Sequence, residues 1–190
     1  LYLPAAVSSA EACARLVRRS LERFGLTKNS IAVPFTSERT PLTGQVSSGR
    51  QIAGTRVSMD RVNRIRKLTR STLNHVALTC IDGALHRYLD ELGDTTKQPL
   101  SIQMPVNLRT EDDQLGGNKL GIVLVELSQK TQDPYVRLRE IGVTLRNVRY
   151  QVDTLPADSI VAYGVVIFTV AQIAEALGIS DWLPPLGNTI

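Results

Sequence analysis

The chain has 190 residues, of which 43% are hydrophobic, 21% charged and 5% aromatic. This length allows one domain or two small ones, and the composition is typical of a globular α/β protein rather than of a disordered chain. Two cysteines, Cys13 and Cys80, exclude a disulfide scaffold or a cysteine-rich zinc module, and a net charge of +4 is too small to indicate a nucleic-acid partner.

Both ends of the chain differ from the ends of a complete protein. The first residue is Leu rather than Met, and residues 1–14 lack the basic segment and long apolar run of a secretory signal peptide. Residues 187–190 resemble the start of a strand. We therefore expect the chain to be a piece of a longer polypeptide.

The first predicted element is a helix that begins at a capping box, Ser8-Ser9-Ala10-Glu11, and ends at Gly25. Its apolar stripe has helical spacing and consists of Cys13, Leu16, Val17, Leu21 and Phe24. Residues 26–50 lose this period and are rich in Ser, Thr, Pro and Gly, which predicts a loop or crossover. Residues 1–50 are thus predicted to form a helix followed by a linker.

Two short elements and one long helix are predicted next. Residues 51–57 are compatible with a strand and Met59–Thr69 with a short basic helix. The long helix runs for five turns and ends at Gly93. Its apolar positions recur at i, i+3 and i+4 and are Leu73, Val76, Ala77, Cys80, Ile81, Ala84, Leu85, Tyr88, Leu89 and Leu92.

Strand and helix patterns alternate in the remaining residues. Residues 100–104 alternate as a half-buried strand does, and residues 120–125 are apolar on both faces, which predicts a central strand. Asp133-Pro134 begins a helix whose buried face is predicted to contain Leu138, Ile141, Leu145 and Val148. Pro156 begins a last helix that is apolar nearly all round over residues 160–174. Because this run is shorter than the roughly 20 residues of a membrane span, we expect a buried helix, with membrane-surface contact as the alternative.

Both histidines lie on the long helix, where His75, Thr79, Asp82 and His86 share one face. Asp82 and His86 are close enough to pair or to share a metal ion, whereas His75 lies about 10 Å further along the helix axis. Because this face is opposite the apolar stripe, we expect a solvated polar surface.

Residues 56–70 carry six basic side chains against one acidic one. Such a helix can bind the phosphates of a nucleotide-bearing cofactor, an anionic lipid or a nucleic acid, although the lack of interleaved aromatic residues weakens the nucleic-acid option. A solvated face without a ligand is the alternative. The six residues are Arg56, Arg61, Arg64, Arg66, Lys67 and Arg70.

Polar residues at strand ends are the best local candidates for a binding site. Asn107 and Arg109 lie at the end of one predicted strand, and Gly116-Gly117-Asn118 lies just before the next. Such loops often carry function, so Asn107, Arg109 and Asn118 are predicted to line a cleft, with turn-forming or strand-capping roles as the alternative. The Asp112-Asp113 pair is predicted to lie in a surface loop. The residues alone therefore indicate a piece of an α/β fold without a nucleophile elbow, phosphate-binding loop or complete catalytic set.

Five segments taken in order resemble motifs of the bacterial wax ester synthase/diacylglycerol acyltransferase family. Pro41-Leu42-Thr43-Gly44 is similar to its Pro-Leu-Asn-Gly motif, and residues 72–89 to its Asn-Asp-Val-Val-Leu helix with the following Ala-Leu-Arg-x-Tyr-Leu. Pro105-Val106-Asn107-Leu108-Arg109 resembles its Pro-Val-Ser-x-Arg strand end. Gly117-Asn118 and residues 133–138 resemble its Gly-Asn and Asp-Pro-x-x-Arg-Leu signatures.

The resemblance implies a fold like that of chloramphenicol acetyltransferase, a CoA-dependent acyltransferase fold in which two similar α/β lobes enclose an active-site tunnel. It places this chain after the first lobe, so that residues 51–190 form an incomplete second α/β lobe. Enzymes of this family transfer a fatty acyl group from acyl-CoA to a diacylglycerol or a long-chain alcohol. The resemblance implies no cofactor and no metal, since acyl-CoA is a substrate.

The catalytic His-His-x-x-x-Asp-Gly motif of the family is absent from this sequence. His75 and Asp82-Gly83 do not form it, because their spacing is too long and they lie within one helix. The reaction needs a general base and donors for the thioester oxyanion. Since the resemblance assigns the base to the second His of the motif, we expect no catalytic residue in this chain. The sequence also has His75 and Thr43 where the family has Asp and Asn.

The resemblance implies two kinds of site residue. Those expected to support or line the tunnel are Asn74, Asn107, Arg109 and Asn118, and the shared motif positions are Pro41, Leu42, Gly44, Pro105 and Gly117. Arg64 and Arg66 of the basic helix are expected to bind the CoA phosphates.

The leading hypothesis is therefore an acyl-CoA-dependent O-acyltransferase that makes triacylglycerol or wax ester. Its expected partners are acyl-CoA, the lipid acceptor and the N-terminal lobe of the same protein, without nucleic acid. Its expected location is cytoplasmic, with peripheral contact to a membrane or lipid inclusion as an option. A non-catalytic lipid-binding or scaffold protein of the same fold is the alternative, which His75 favours. A condensation-like domain acting on carrier-protein thioesters is a third hypothesis.

Overall fold

The computed structural model describes residues 32, 34–43, 48–94, 98–108, 120–129, 131–179, 182 and 184–188. Several predictions fall on other residues and lie outside the described part of the chain. They concern the first helix with Cys13, the Asp112-Asp113 pair, and the candidates Gly44, Arg109, Gly117 and Asn118.

The described residues form a mixed α/β unit, which confirms the predicted class. In chain order its elements are α1 (Met59–Thr69), α2 (Leu73–Glu91), β1 (Ser101–Asn107), β2 (Leu120–Glu126), α3 (Pro134–Thr154) and α4 (Ala157–Ala176). A 3₁₀ turn, Pro41–Thr43, precedes them.

The helices begin and end where local chemistry predicts. Thr72 caps α2, since its Oγ1 accepts a hydrogen bond from the backbone N–H of His75 at 3.2 Å. Asp133 caps α3 by accepting from the N–H of Tyr135 at 2.8 Å, and Pro134 follows where its missing N–H costs nothing. Gly93 follows α2 with φ at +76°, a conformation that favours glycine.

The two strands are antiparallel, with Ser101 opposite Glu126 and Asn107 opposite Leu120. Both outer edges of this sheet make one more backbone hydrogen bond. On the β2 side the carbonyl of Leu124 accepts from the N–H of Ala32 at 3.0 Å, and on the β1 side the carbonyl of Ser101 accepts from the N–H of Asn188 at 2.8 Å. The chain therefore adds backbone to the sheet on both sides.

Helices cover both faces of the sheet. Residues of α2 and α3, among them Leu89 and Val148, pack with Val123 and Val125 in the main core. Ile160 near the start of α4 belongs to the same core, and further along α4 Ile167 lies beside Ile122 and Leu124 on the opposite face. Because β2 is buried on both faces, the prediction of a central strand is confirmed.

The prediction of a strand over residues 51–57 is wrong. These residues are all exposed, have no ladder partner within the described part of the chain, and include Ile52 with 99% of its surface exposed. A strand needs a neighbouring strand to satisfy its backbone groups. The apolar and β-branched residues of this segment favour a strand, but no described strand lies beside it.

The prediction of a buried last helix is also wrong. The most apolar 18-residue window of α4 is only 22% buried, and the helix is long and apolar enough to cross a membrane. Only one side of α4 packs on the sheet. Valine, phenylalanine and isoleucine side chains on its other sides meet no described residue that covers them.

Candidate functional site

A buried carboxylate, that of Asp82 on α2, lies at the centre of a cluster of polar side chains. Asp82 is 0% exposed. Its Oδ2 accepts a hydrogen bond from the hydroxyl of Ser128 and lies 3.1 Å from Nε of Arg137. Its Oδ1 lies 3.1 Å from Nδ1 of His86. The face that was predicted to be solvated is therefore the buried face of α2, and that prediction is wrong.

Three elements bring this cluster together. Asp82 and His86 lie one turn apart on α2, Ser128 follows the end of β2, and Arg137 lies in the first turns of α3. Gly83 leaves the space that the Arg137 guanidinium occupies, because a Cβ there would lie 2.8 Å from Nη1. The cluster joins α2, α3 and the end of the sheet.

The imidazole of His86 is held within its own helix. Its Nδ1 donates to the backbone carbonyl of Asp82 at 2.9 Å, and the Asp82 carboxylate raises the pKa of His86 above its usual value. Its Nε2 is buried and meets no hydrogen-bond partner among the described residues. Because only 3% of His86 is exposed, this imidazole is a structural group in the described part of the chain and does not contact solvent-borne substrate.

His75 is the second buried imidazole of α2. It packs against Gly142 of α3, where an added Cβ would lie 3.4 Å from Nδ1. Burial lowers the pKa of His75, and the positive charge of Arg146 lowers it further. The surroundings of His86 therefore favour its protonated form, whereas those of His75 favour its neutral form.

The groups in this cluster are those of a structural contact that holds helices together. The guanidinium of Arg137 balances the charge of Asp82, and burial of such a pair is tolerated only when hydrogen bonds support it. In the described ranges no group of three or more His, Cys, Asp or Glu side chains could hold a metal ion. The pairing of Asp82 with His86 that spacing allowed is confirmed.

The polar candidates from the sequence lie elsewhere, at one end of the unit. The chain turns back between α2 and β1, and Leu89 near the end of α2 shares the core with Leu100 just before β1. Asn74 at the start of α2 and Asn107 at the end of β1 are consequently at the same end. Both residues are exposed. The strand ends that flank residues 109–119 also lie here.

The basic helix α1 lies beside this end. Val62 of α1 packs with Val76, in the first turn of α2, and with Leu138 of α3. Arg64 is exposed, whereas Arg66 is half-buried and donates to Oδ1 of Asn63 at 3.1 Å. Only Arg64 of these two predicted phosphate ligands is fully available to a ligand in solution.

The remaining motif positions have different environments. Leu42 in the 3₁₀ turn packs against the main core, while Pro41 beside it is exposed. Leu100 and every second residue after it exchange backbone hydrogen bonds with β2. Pro105 lies between two of these positions, so its ring nitrogen is directed away from β2. A proline there costs no hydrogen bond between the two strands.

Ser128 and Arg137 are the two members of the Asp82 cluster that the sequence analysis did not single out as site residues. Arg137 lies within the Asp-Pro-x-x-Arg-Leu segment, and its position one turn after the helix cap was the available signal. Ser128 had no such signal, since it lies in a short stretch after a strand and its partner is 46 residues away in the sequence.

Comparisons with known proteins give a consistent result. Residues 3–77 match the family described as the wax ester synthase/diacylglycerol acyltransferase catalytic domain. A Mycobacterium tuberculosis protein named "Putative diacylglycerol O-acyltransferase" is 31% identical over 168 residues, which cover 88% of this chain and 38% of that protein. A second protein of the same name and species is 33% identical over 144 residues, covering 76% of this chain and 29% of that protein.

A Mycobacterium bovis protein with that name is 29% identical over 164 residues, covering 86% of this chain and 35% of that protein. The chain thus spans between 29% and 38% of the length of these relatives. No solved structure matches it.

Removing the Asp82 carboxylate is expected to destabilise the fold strongly. In Asp82→Asn the guanidinium of Arg137 keeps its charge but loses the carboxylate that balances it, which costs about 3–5 kcal/mol of unfolding free energy. Urea denaturation measures this loss. The matched control is Glu91→Gln, which breaks an exposed ion pair with Arg87 on the same helix and costs less than about 1 kcal/mol. Equal small losses in both variants would show that the cluster does not support the fold.

The pKa values of the two imidazoles are expected to be shifted in opposite directions from the ordinary histidine value, upward for His86 and downward for His75. His86, with a raised pKa, stabilises the fold below the unfolded value of 6.5, and this contribution is lost as the pH rises through its folded pKa. His75, with a lowered pKa, stabilises the fold above 6.5, and this contribution is lost as the pH falls toward its folded pKa.

NMR titration of the imidazole C–H protons, assigned with His75→Gln and His86→Gln, tests this order. We expect His75 to be the more acidic group. Titration of His75 at a higher pH than His86 would contradict the packing described for both residues.

Proposed function

Since the chain belongs to the wax ester synthase/diacylglycerol acyltransferase family, we propose that it is part of an O-acyltransferase that moves a fatty acyl group from acyl-CoA to a diacylglycerol or a long-chain alcohol. The observation that carries this proposal is the family match over residues 3–77, together with relatives named as diacylglycerol O-acyltransferases over most of the chain. The product is triacylglycerol or wax ester.

The base for this reaction is proposed to lie in polypeptide outside this chain. Attack of the acceptor hydroxyl on the thioester needs a group that removes its proton and donors that stabilise the oxyanion. The two histidines of this chain are both buried, at 8% and 3% exposure, in the contact between α2 and α3. This supports assigning the base to a second lobe, and this chain alone is expected to be inactive.

The contribution proposed for this chain is one wall of the site. Asn74 and Asn107 are exposed at the same end of the unit, where α1 also lies, and amide side chains can donate hydrogen bonds to an acyl carbonyl. The proposed architecture is the two-lobed acyltransferase fold. The backbone hydrogen bonds on both outer edges of the sheet support a sheet that is wider than β1 and β2.

The basic helix α1 is proposed to attract the phosphates of CoA. Arg64 is exposed on it, and Arg61, Lys67 and Arg70 are exposed as well. A cluster of cations raises the local concentration of an anionic substrate and lowers its apparent dissociation constant. Since the acceptors are lipids, the complete protein is proposed to be cytoplasmic, with peripheral contact to a membrane or lipid inclusion.

A non-catalytic lipid-binding protein of the same fold is the second candidate, and one observation favours it. The family position for Asp is occupied by His75, which is buried against Gly142 instead of being available at the site. A departure at a motif position is compatible with loss of activity.

Assay of the complete protein with acyl-CoA and either hexadecanol or diacylglycerol tests the proposed activity. We expect acyl transfer by the complete protein and none by the 190-residue chain. The control is the complete protein with the second His of its His-His-x-x-x-Asp-Gly motif changed to Ala. Lipid binding without turnover, in a protein that lacks this motif, would instead establish the non-catalytic candidate.

Charge reversal at Arg64 is expected to raise the KM for acyl-CoA in the complete protein. An exposed charge pair contributes up to about 1 kcal/mol, so replacing attraction by repulsion predicts a rise of roughly five- to tenfold at low salt, with kcat unchanged. The variant is Arg64→Glu, and the control is Arg149→Glu on α3, another exposed arginine that lies outside α1. An unchanged KM would remove α1 from the CoA site.

A further inference from the structure

Two nitrogen-bearing side chains border the space beside Gly142, where α2 and α3 meet. The position that a Cβ of Gly142 would occupy lies 3.4 Å from Nδ1 of His75 and 3.5 Å from Nη1 of Arg146. His75 comes from α2, and Arg146 reaches back from one turn further along α3. Because Arg146 is an exposed residue, its guanidinium borders this space from the solvent side.

Neither of these side chains makes a hydrogen bond or an ion pair with a residue that the structure describes. Two other exposed arginines, Arg87 and Arg149, each pair with an acidic residue one turn away. His75 is only 8% exposed, and the hydroxyls of Thr72 and Thr79 contact its backbone rather than its ring. Two donor groups without an acceptor therefore border the same space.

The potential around this space is positive. The positive charge of Arg146 adds to burial in lowering the pKa of His75, and no described carboxylate opposes these effects. On α1, which packs against the first turn of α2 through Val62, the one charged side chain that is half-buried is Arg66, another cation. His75 itself lies in the first turn of α2, at the positive end of the helix dipole. Positive groups that converge without an acidic partner attract an anion.

We propose that the space beside Gly142 binds a phosphate group, with His75 and Arg146 as its hydrogen-bond donors. An oxygen atom at the position of the missing Cβ is about half an ångström beyond the ideal N···O distance from each nitrogen, and the flexible side chain of Arg146 closes this gap. The two donors come from different helices. This arrangement suits the tetrahedral oxygens of a phosphate better than the planar oxygens of a carboxylate.

The phosphate has two sources, the CoA moiety of the acyl donor or free inorganic phosphate. Assignment to acyl-CoA rests on the proposed function, because Asn74, which is proposed to line the site, directly precedes His75. The binding of a phosphate group beside Gly142 does not depend on that function.

NMR titration of the complete protein, with its histidine rings labelled with ¹³C, tests the proposal. Sodium phosphate replaces sodium chloride at constant ionic strength, and the His75 signal is identified by its loss in His75→Gln. Because a bound anion favours the protonated imidazole, we expect phosphate to raise the pKa of His75 by about one unit. Sodium acetate at the same ionic strength is expected to leave this pKa unchanged.

Two variants and a matched control show whether the response comes from this space. Gly142→Ala fills the space with a methyl group at ordinary contact distances and keeps a good helix former, so it is expected to fold and to abolish the response. Arg146→Gln is expected to weaken phosphate binding roughly tenfold or more, and to raise the pKa of His75 when phosphate is absent. Arg149→Gln, which changes an exposed arginine three residues further along α3, is the control and is expected to keep the full response. Circular dichroism checks that each variant is folded.

Coenzyme A and inorganic phosphate are added in separate titrations to distinguish the two sources. Saturation by coenzyme A at a lower concentration than by phosphate assigns the site to the acyl donor, and a response to phosphate alone assigns it to the free ion. Both results support the site.

Three results would overturn the proposal. The first is a His75 signal that responds to neither phosphate nor coenzyme A, and the second is an equal response to phosphate and acetate. The third is a full response in Gly142→Ala. Because the measurement is of binding, each result is independent of whether the complete protein transfers acyl groups.

Discussion

The carboxylate of Asp82 is the interaction on which the arrangement of the helices depends. It is completely buried and contacts groups from α2, α3 and the end of β2. An unpaired charge at this depth would cost several kcal/mol, so the packing of α2 on α3 requires the guanidinium of Arg137 and the hydroxyl of Ser128. Gly83 is part of the same requirement, since any larger residue would meet that guanidinium.

The contact between α2 and α3 determines which side chains of the unit remain on its surface. With the polar face of α2 directed toward α3, part of its apolar stripe, including Ile81 and Tyr88, remains on the surface. Exposed apolar residues of α4, such as Val165 and Val170, and residues 51–57 add further apolar or strand-forming groups that the described residues do not cover. These surfaces are consistent with a chain that spans between 29% and 38% of the length of its relatives.

The fixed geometry of α2 also links the cluster to the proposed function. Asn74 begins the helix whose middle carries Asp82, and β1 returns along α2 to end at Asn107. The cluster does not contact a substrate, and its proposed relevance is to hold this end of the unit in one position. A site assembled from two lobes needs each wall to be rigid, because small displacements of donors reduce stabilisation of the transition state.

The amino-acid sequence by itself determined the local elements and the family of this protein. Thr72, Asp133 and Gly93 fix helix ends through contacts with their own neighbours, and the apolar residues 120–125 specify a central strand, so these features need no distant partner. The tertiary structure alone decided which face of α2 is buried, because Ser128 and Arg137 compensate Asp82 from elsewhere in the chain. It also decided that residues 51–57 form no ladder and that α4 is exposed, because strand pairing and burial are supplied by neighbours that the local sequence does not encode.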